Sequence, residues 1–144
     1  MSKRRYVYYQ PNKKDLKDKY GDCTIRALSK ALNLSWMGAY LLTIPLCLRE
    51  QAPNLFDLPP DREKACLEEW GFIYHGVSNK KGTRRPTVDQ FAKDHPNGRY
   101  LCHVAHHEVA VVDGKYYDTW DSGECYMYGW YECVAEIQDP WSIE

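Results

Sequence analysis

From Gly98 onward the hydrophobic period of this chain becomes two, and the run carries its sharpest turn signal, Asp113-Gly114. An Asp-Gly pair between alternating apolar residues specifies a two-residue hairpin loop, because both loop positions need positive φ. The strands it joins are His107-Glu108-Val109-Ala110-Val111-Val112 and Lys115-Tyr116-Tyr117-Asp118-Thr119-Trp120. Counting outward, Val112 pairs with Lys115, Val109 lies opposite Asp118, and His107 lies opposite Trp120. Side chains alternate, so His107, Val109 and Val111 share a face with Tyr116, Asp118 and Trp120. Asp118 is then the diagonal neighbour of His107, within ion-pair reach, and Trp120 shields that contact from water. His106 and Asp121 fall on the opposite face.

The first half of the chain has a different rhythm. Tyr6-Val7-Tyr8-Tyr9 is a short aromatic strand. Asp22 is a suitable N-cap for a helix whose stripe is Ile25, Leu28 and Leu32 and which ends at Asn33. Ser35 caps a second helix, which Pro45 is expected to kink or break. A third covers Asp61 to Trp70 and stops at Gly71; Phe72 to Val77 is a strand. Thr87 and Gln90 form a capping box over a short helix ending near His95-Pro96. Arg99 to Val104, Cys125 to Tyr131 and Val134 to Ile137 complete the sheet. Helices first and sheet second is an α+β layout, with N-terminal helices packed on a C-terminal antiparallel sheet. A length of 144 residues suits one domain covering 1–144.

The formal net charge of -1 gives no global attraction to nucleic acid or acidic lipid. The local basic clusters, Lys3-Arg4-Arg5 with the lysines up to Lys19, and Lys80-Lys81 with Arg84-Arg85, read as solvated surface. The longest apolar run, Met37 to Leu48, is too short to span a membrane and contains Pro45. No apolar segment follows the charges of the N-terminus, so it does not read as a secretory signal. The six cysteines, Cys23, Cys47, Cys66, Cys102, Cys125 and Cys133, therefore read as reduced thiols of a cytoplasmic protein.

Cys23 is placed to do chemistry. At the first turn of a helix it meets unsatisfied backbone N–H groups and the positive end of the dipole, which favour a thiolate. Its own N–H is positioned to face a developing oxyanion. His107 is the candidate base, and Asp118 on the neighbouring strand orients it by fixing the tautomer. Asp22 beside the sulfur opposes a thiolate unless it turns back onto the helix, and Arg26, one turn on, offsets its charge. The tract Cys102-His103 with His106-His107 looks like a metal cluster, but its spacing fits no structural zinc pattern and no C-x-x-C accompanies it. We expect no metal and no cofactor. His75 and His95 read as surface or loop residues, and the tyrosine-rich end around Tyr126 to Tyr131 as sheet packing.

A cysteine opening a helix, then a histidine and an aspartate on adjacent strands, resembles the papain-like cysteine peptidase superfamily in a small form. Gly21-Asp22-Cys23, the His107 to Val112 strand and Asp118-Thr119-Trp120 carry the resemblance. The run through Asp-Thr-Trp-Asp is also similar to small papain-like proteins of bacteria and their phages. The resemblance implies a papain-like fold and a thiol hydrolase: Cys23 as nucleophile, His107 as base and then acid, Asp118 as orienter. It implies a peptide or protein substrate. The family's oxyanion glutamine, a few residues before the cysteine, has no counterpart in Asp15 to Tyr20; Gln10 and Asn12 are the candidates for that role. Acyl transfer on the same triad, or a binding or inhibitory protein with a degenerate site, are the alternatives.

Overall fold

The computed structural model describes residues 5–14, 19–78, 82 and 84–141. The basic residues Lys3, Arg4, Lys17, Lys80 and Lys81 lie outside them, as does most of the stretch without a glutamine, 15–18. The elements in chain order are β1 (Tyr6–Tyr8), α1 (Cys23–Leu32), α2 (Trp36–Glu50), a 3-10 turn (Leu55–Asp57), α3 (Pro60–Glu69), β2 (Phe72–Gly76), α4 (Val88–Asp94), β3 (Arg99–Val104), β4 (His107–Val112), β5 (Lys115–Asp118) and β6 (Gly129–Cys133).

The six strands form one sheet in the order β1-β5-β4-β3-β6-β2. It is mixed, which corrects the expectation of an antiparallel C-terminal sheet. β1 runs parallel to β5, Tyr8 beside Asp118, while the other pairings are antiparallel. The two outer strands both come from before α4, so the sheet is closed at its edges by the first half of the chain. Val134 to Ile137 is not a strand, nor is Cys125 to Tyr128, where only a bridge between Tyr126 and Thr87 forms. β5 stops at Asp118 because the next amide, Thr119 N–H, donates to the Asp118 carboxylate (2.8 Å).

Helices cover both faces. On one, Leu28, Ala31 and Leu32 of α1 and Leu67 of α3 pack with Phe72, Leu101, Ala110 and Tyr131. On the other, Val88, Phe91 and Ala92 of α4 pack with Cys102, Val104, Val109, Val111 and Tyr116. Odd and even positions of β3 and β4 thus separate cleanly, as the period of two requires. Asp113 (φ 49°) and Gly114 (φ 80°) form the two-residue turn, and Val112 pairs with Lys115 as counted. At the α1–α2 junction Asn33 takes the left-handed conformation and Ser35 accepts the Gly38 N–H at 3.0 Å. Gly38 lets the Asp139 carboxylate close in on the start of α2, where it accepts the Ser35 N–H. The Thr87–Gln90 capping box is present in both directions.

His95 lies in the connection after α4, as expected, and His75 is a half-exposed residue of β2. His95 stacks on Phe91 (centroids 3.8 Å apart) and His75 on Trp130 (4.1 Å), so both rings extend the aromatic packing of the α4 face. All six cysteines are free thiols. No single helix among the described residues is long and apolar enough to cross a membrane.

Pro45 does not break α2, which continues to Glu50. Its ring is exposed, so the carbonyl four residues back is freed on the solvent side and the chain is not forced to end. The missing bond still costs stability. Pro45→Ala is therefore expected to stabilise the protein by about 2 kcal/mol, the helix gain less the unfolded-state entropy that proline removes. Urea denaturation measures this; an unchanged or lower midpoint contradicts it.

Candidate active site

The site forms where α1 begins, β4 begins and β5 ends. Cys23, His107 and Asp118 are all buried, at 9%, 9% and 2% exposure. His107 Nε2 lies 2.6 Å from Asp118 Oδ2, and the Cys23 side chain is near enough to the imidazole to raise its basicity as well. With Nε2 committed to the carboxylate, Nδ1 is the ring nitrogen left for sulfur. The hairpin register makes this possible: β4 and β5 pair at Ala110–Tyr117 and Val111–Tyr116, which leaves Asp118 diagonal to His107.

Asp118 is fixed from several directions. Ser122 Oγ donates to Oδ2 at 2.7 Å and Thr119 N–H to Oδ1 at 2.8 Å. The Arg26 guanidinium stands 3.6 Å from Oδ1. This donor set suits a carboxylate, which accepts only.

Asp22 does not cap α1 through its side chain, contrary to expectation. Its carboxylate is taken by the Arg26 guanidinium and by Trp36 Nε1 (2.8 Å). The reason is competition: a charged guanidinium one turn away and the Trp36 N–H outweigh a neutral backbone amide. The outcome for the sulfur is the same, since the negative charge next to Cys23 is neutralised by Arg26.

Burial works to lower the basicity of His107, but the hydrogen bonds and charges of Asp118 and Cys23 outweigh it and push the imidazolium up to about 9. The five other thiols are all pushed up, in each case chiefly by burial. Trp120 leans over the imidazole, centroids 5.1 Å apart and 32° tilted, while remaining 48% exposed. It covers one ring face rather than sealing the contact from water.

Gln10 and Asn12 follow β1. Tyr9 N–H donates to the Asp118 carbonyl (2.8 Å), so Gln10 is the next residue beyond that link, at the site end of β5. Its Oε1 accepts the Asn12 N–H at 3.0 Å, and Asn12 Oδ1 accepts the Lys14 N–H at 3.1 Å. The Asn12 oxygen thus shapes its own turn. The histidine-rich tract does not gather on one metal: Cys102 is buried against α4, His103 pairs with Glu108, His106 sits in the β3–β4 turn at φ 54°, and His107 meets Asp118.

Two contributors escape a reading of the sequence. Arg26 is visible as an i,i+4 partner of Asp22, but its reach to Asp118 is tertiary. Ser122 lies in an irregular segment that carries no periodic signal. The geometry predicts that His107 titrates near 9 in wild type and falls toward 6.5 in Asp118→Asn, read by NMR of the imidazole nitrogens. The linked stability has a definite sign. A raised folded pKa contributes fully below the unfolded value of about 6.5, and the contribution is lost as pH rises through about 9. A wild-type value at or below 6.5 contradicts the geometry.

Comparison with protein-family models, with curated proteins and with solved structures gives no match to this chain.

Proposed function

We propose that this protein is a cysteine hydrolase of papain-like architecture that cleaves an amide bond in a peptide or protein through an acyl-enzyme. The observation that carries the reading is the position of His107, held by Asp118 on Nε2 and close to a cysteine at a helix N-terminus. The order Cys, His, Asp and the placement of the last two on adjacent strands support the papain-like resemblance. The unbridged thiols support a reducing, cytoplasmic setting.

The chemistry follows from the residues. The Cys23 thiolate attacks the carbonyl carbon, and the Cys23 N–H faces the oxyanion that forms. Gln10 is the second candidate donor, by its place beside the end of β5. The imidazolium gives its Nδ1 proton to the leaving amine, and the tetrahedral species collapses to a thioester. Neutral His107 then takes a proton from water, the hydroxide attacks the thioester carbonyl, and the thiolate departs with the imidazolium regenerated. An amine in place of water makes the same sequence an acyl transfer. Asp118 and Arg26 move no atoms. One orients the ring; the other holds two carboxylates at fixed positions.

The test is alkylation by iodoacetamide at pH 7.5, followed thiol by thiol by mass spectrometry. Cys23 is expected to react at least tenfold faster than any other cysteine, because desolvation pushes the other five thiols up and none of them has an imidazole base beside it. His107→Ala is expected to slow Cys23 by about 10- to 100-fold, within the usual range of general-base effects. Uniform slow labelling of all six cysteines replaces this reading with that of a binding protein on the same scaffold.

A further inference from the structure

On the other face of β4 from His107, two carboxylates and an imidazole meet. Glu108 follows His107 in β4, so its side chain turns to the opposite side of the sheet. There it meets His103 across the ladder, the two being register partners, with His103 Nδ1 3.1 Å from Glu108 Oε1. Glu63 of α3 comes down onto the same spot. One ligand atom from each of Glu63, His103 and Glu108 lies within 4.8 Å of the others. Glu63 is 6% and Glu108 3% exposed.

A carboxylate pair this deeply buried needs a shared proton or a cation between its members. Glu108 Oε2 is buried and receives no hydrogen bond from an N–H or hydroxyl donor, and its carboxylate faces that of Glu63. His103 satisfies only the other oxygen. Burial pushes both carboxyls up, and the nearness of Glu108 pushes Glu63 further. Glu63 and His103 also line a cleft of about 290 Å³, which His106 borders. The spot is thus reachable from solvent, with room for a water to complete a coordination sphere.

We propose that Glu63, His103 and Glu108 form a binding site for a divalent first-row transition ion, with Zn²⁺ or Mn²⁺ fitting the mixed oxygen and nitrogen donors. The ion bonds to Glu108 Oε2, a Glu63 oxygen and the His103 Nδ1 lone pair; the proton on that nitrogen, and any proton held between the carboxylates, passes to solvent. The site ties α3 to the β3–β4 ladder beneath His107. It is independent of the reading of Cys23, and metal occupancy tests it without reference to thiol reactivity.

Mn²⁺ is the discriminating probe, because the six thiols bind it poorly. After chelator treatment and dialysis, the full chain at pH 8 is titrated with Mn²⁺ and followed by electron paramagnetic resonance; Zn²⁺ is added as a competitor. One Mn²⁺ per chain is expected, displaced by Zn²⁺, with protons released on binding. Glu108→Gln and His103→Gln are each expected to weaken Mn²⁺ binding at least tenfold. Folding of the variants is checked by their melting in chelator, where Glu108→Gln is expected to melt at or above wild type, since it removes a buried charge. Added Mn²⁺ raises the wild-type melting temperature and leaves that of Glu108→Gln unchanged. Absence of saturable binding, or binding undiminished in both variants, overturns the proposal and leaves the cluster a proton-sharing acid pair.

Discussion

Asp118 holds the site together because its backbone and its carboxylate fasten different parts of the molecule. Its carbonyl accepts from Tyr9 N–H and Tyr6 Oη, which docks the N-terminal strand onto the edge of the sheet. Its carboxylate binds His107, Ser122, Thr119 N–H and the guanidinium of Arg26. Through Arg26 the tie continues to Asp22 and on to Trp36 at the start of α2. One buried residue therefore sets where β5 ends, how α1 approaches the sheet and which way the imidazole faces. Burying these charges is costly, and the arrangement persists because each has a donor or acceptor opposite it.

The legible parts of the chain were those in which local chemistry and tertiary packing agree. Asp113-Gly114 sets the hairpin register by itself, and the register alone places Asp118 near His107. Ser35 and Thr87 cap their helices because nothing stronger competes for their hydroxyls. Asp22 carries the same signal and fails to cap because Arg26 and Trp36 claim its carboxylate, and the claim of Trp36 arrives from another helix. Pro45 was misleading for a related reason: its penalty is softened where the helix faces water. The parallel pairing of β1 with β5 has no local signature, since it joins residues more than a hundred positions apart. The same holds for Glu63 and Glu108, which read singly as an ordinary helix residue and an ordinary strand residue.

The two faces of β4 divide the chemistry. Val109 and Val111 bury against α4 on the side of His107, while Glu108 and Ala110 turn toward α1 and α3. A strand with polar residues buried on both faces is stable only if each is matched. On the His107 side the match is complete within the chain. On the Glu108 side one oxygen receives no N–H or hydroxyl donor, and the group facing it is the carboxyl of Glu63.

The central claim is that Cys23, His107 and Asp118 act as one unit, and a double-mutant cycle on the alkylation rate of Cys23 tests it most directly. The rate is measured in wild type, His107→Ala, Asp118→Asn and the double variant, each shown to be folded. A unit predicts that Asp118→Asn slows Cys23 when His107 is present and has no further effect once the imidazole is gone. Equal effects of Asp118→Asn in both backgrounds would mean that the carboxylate does not act through the ring, and the account would be wrong.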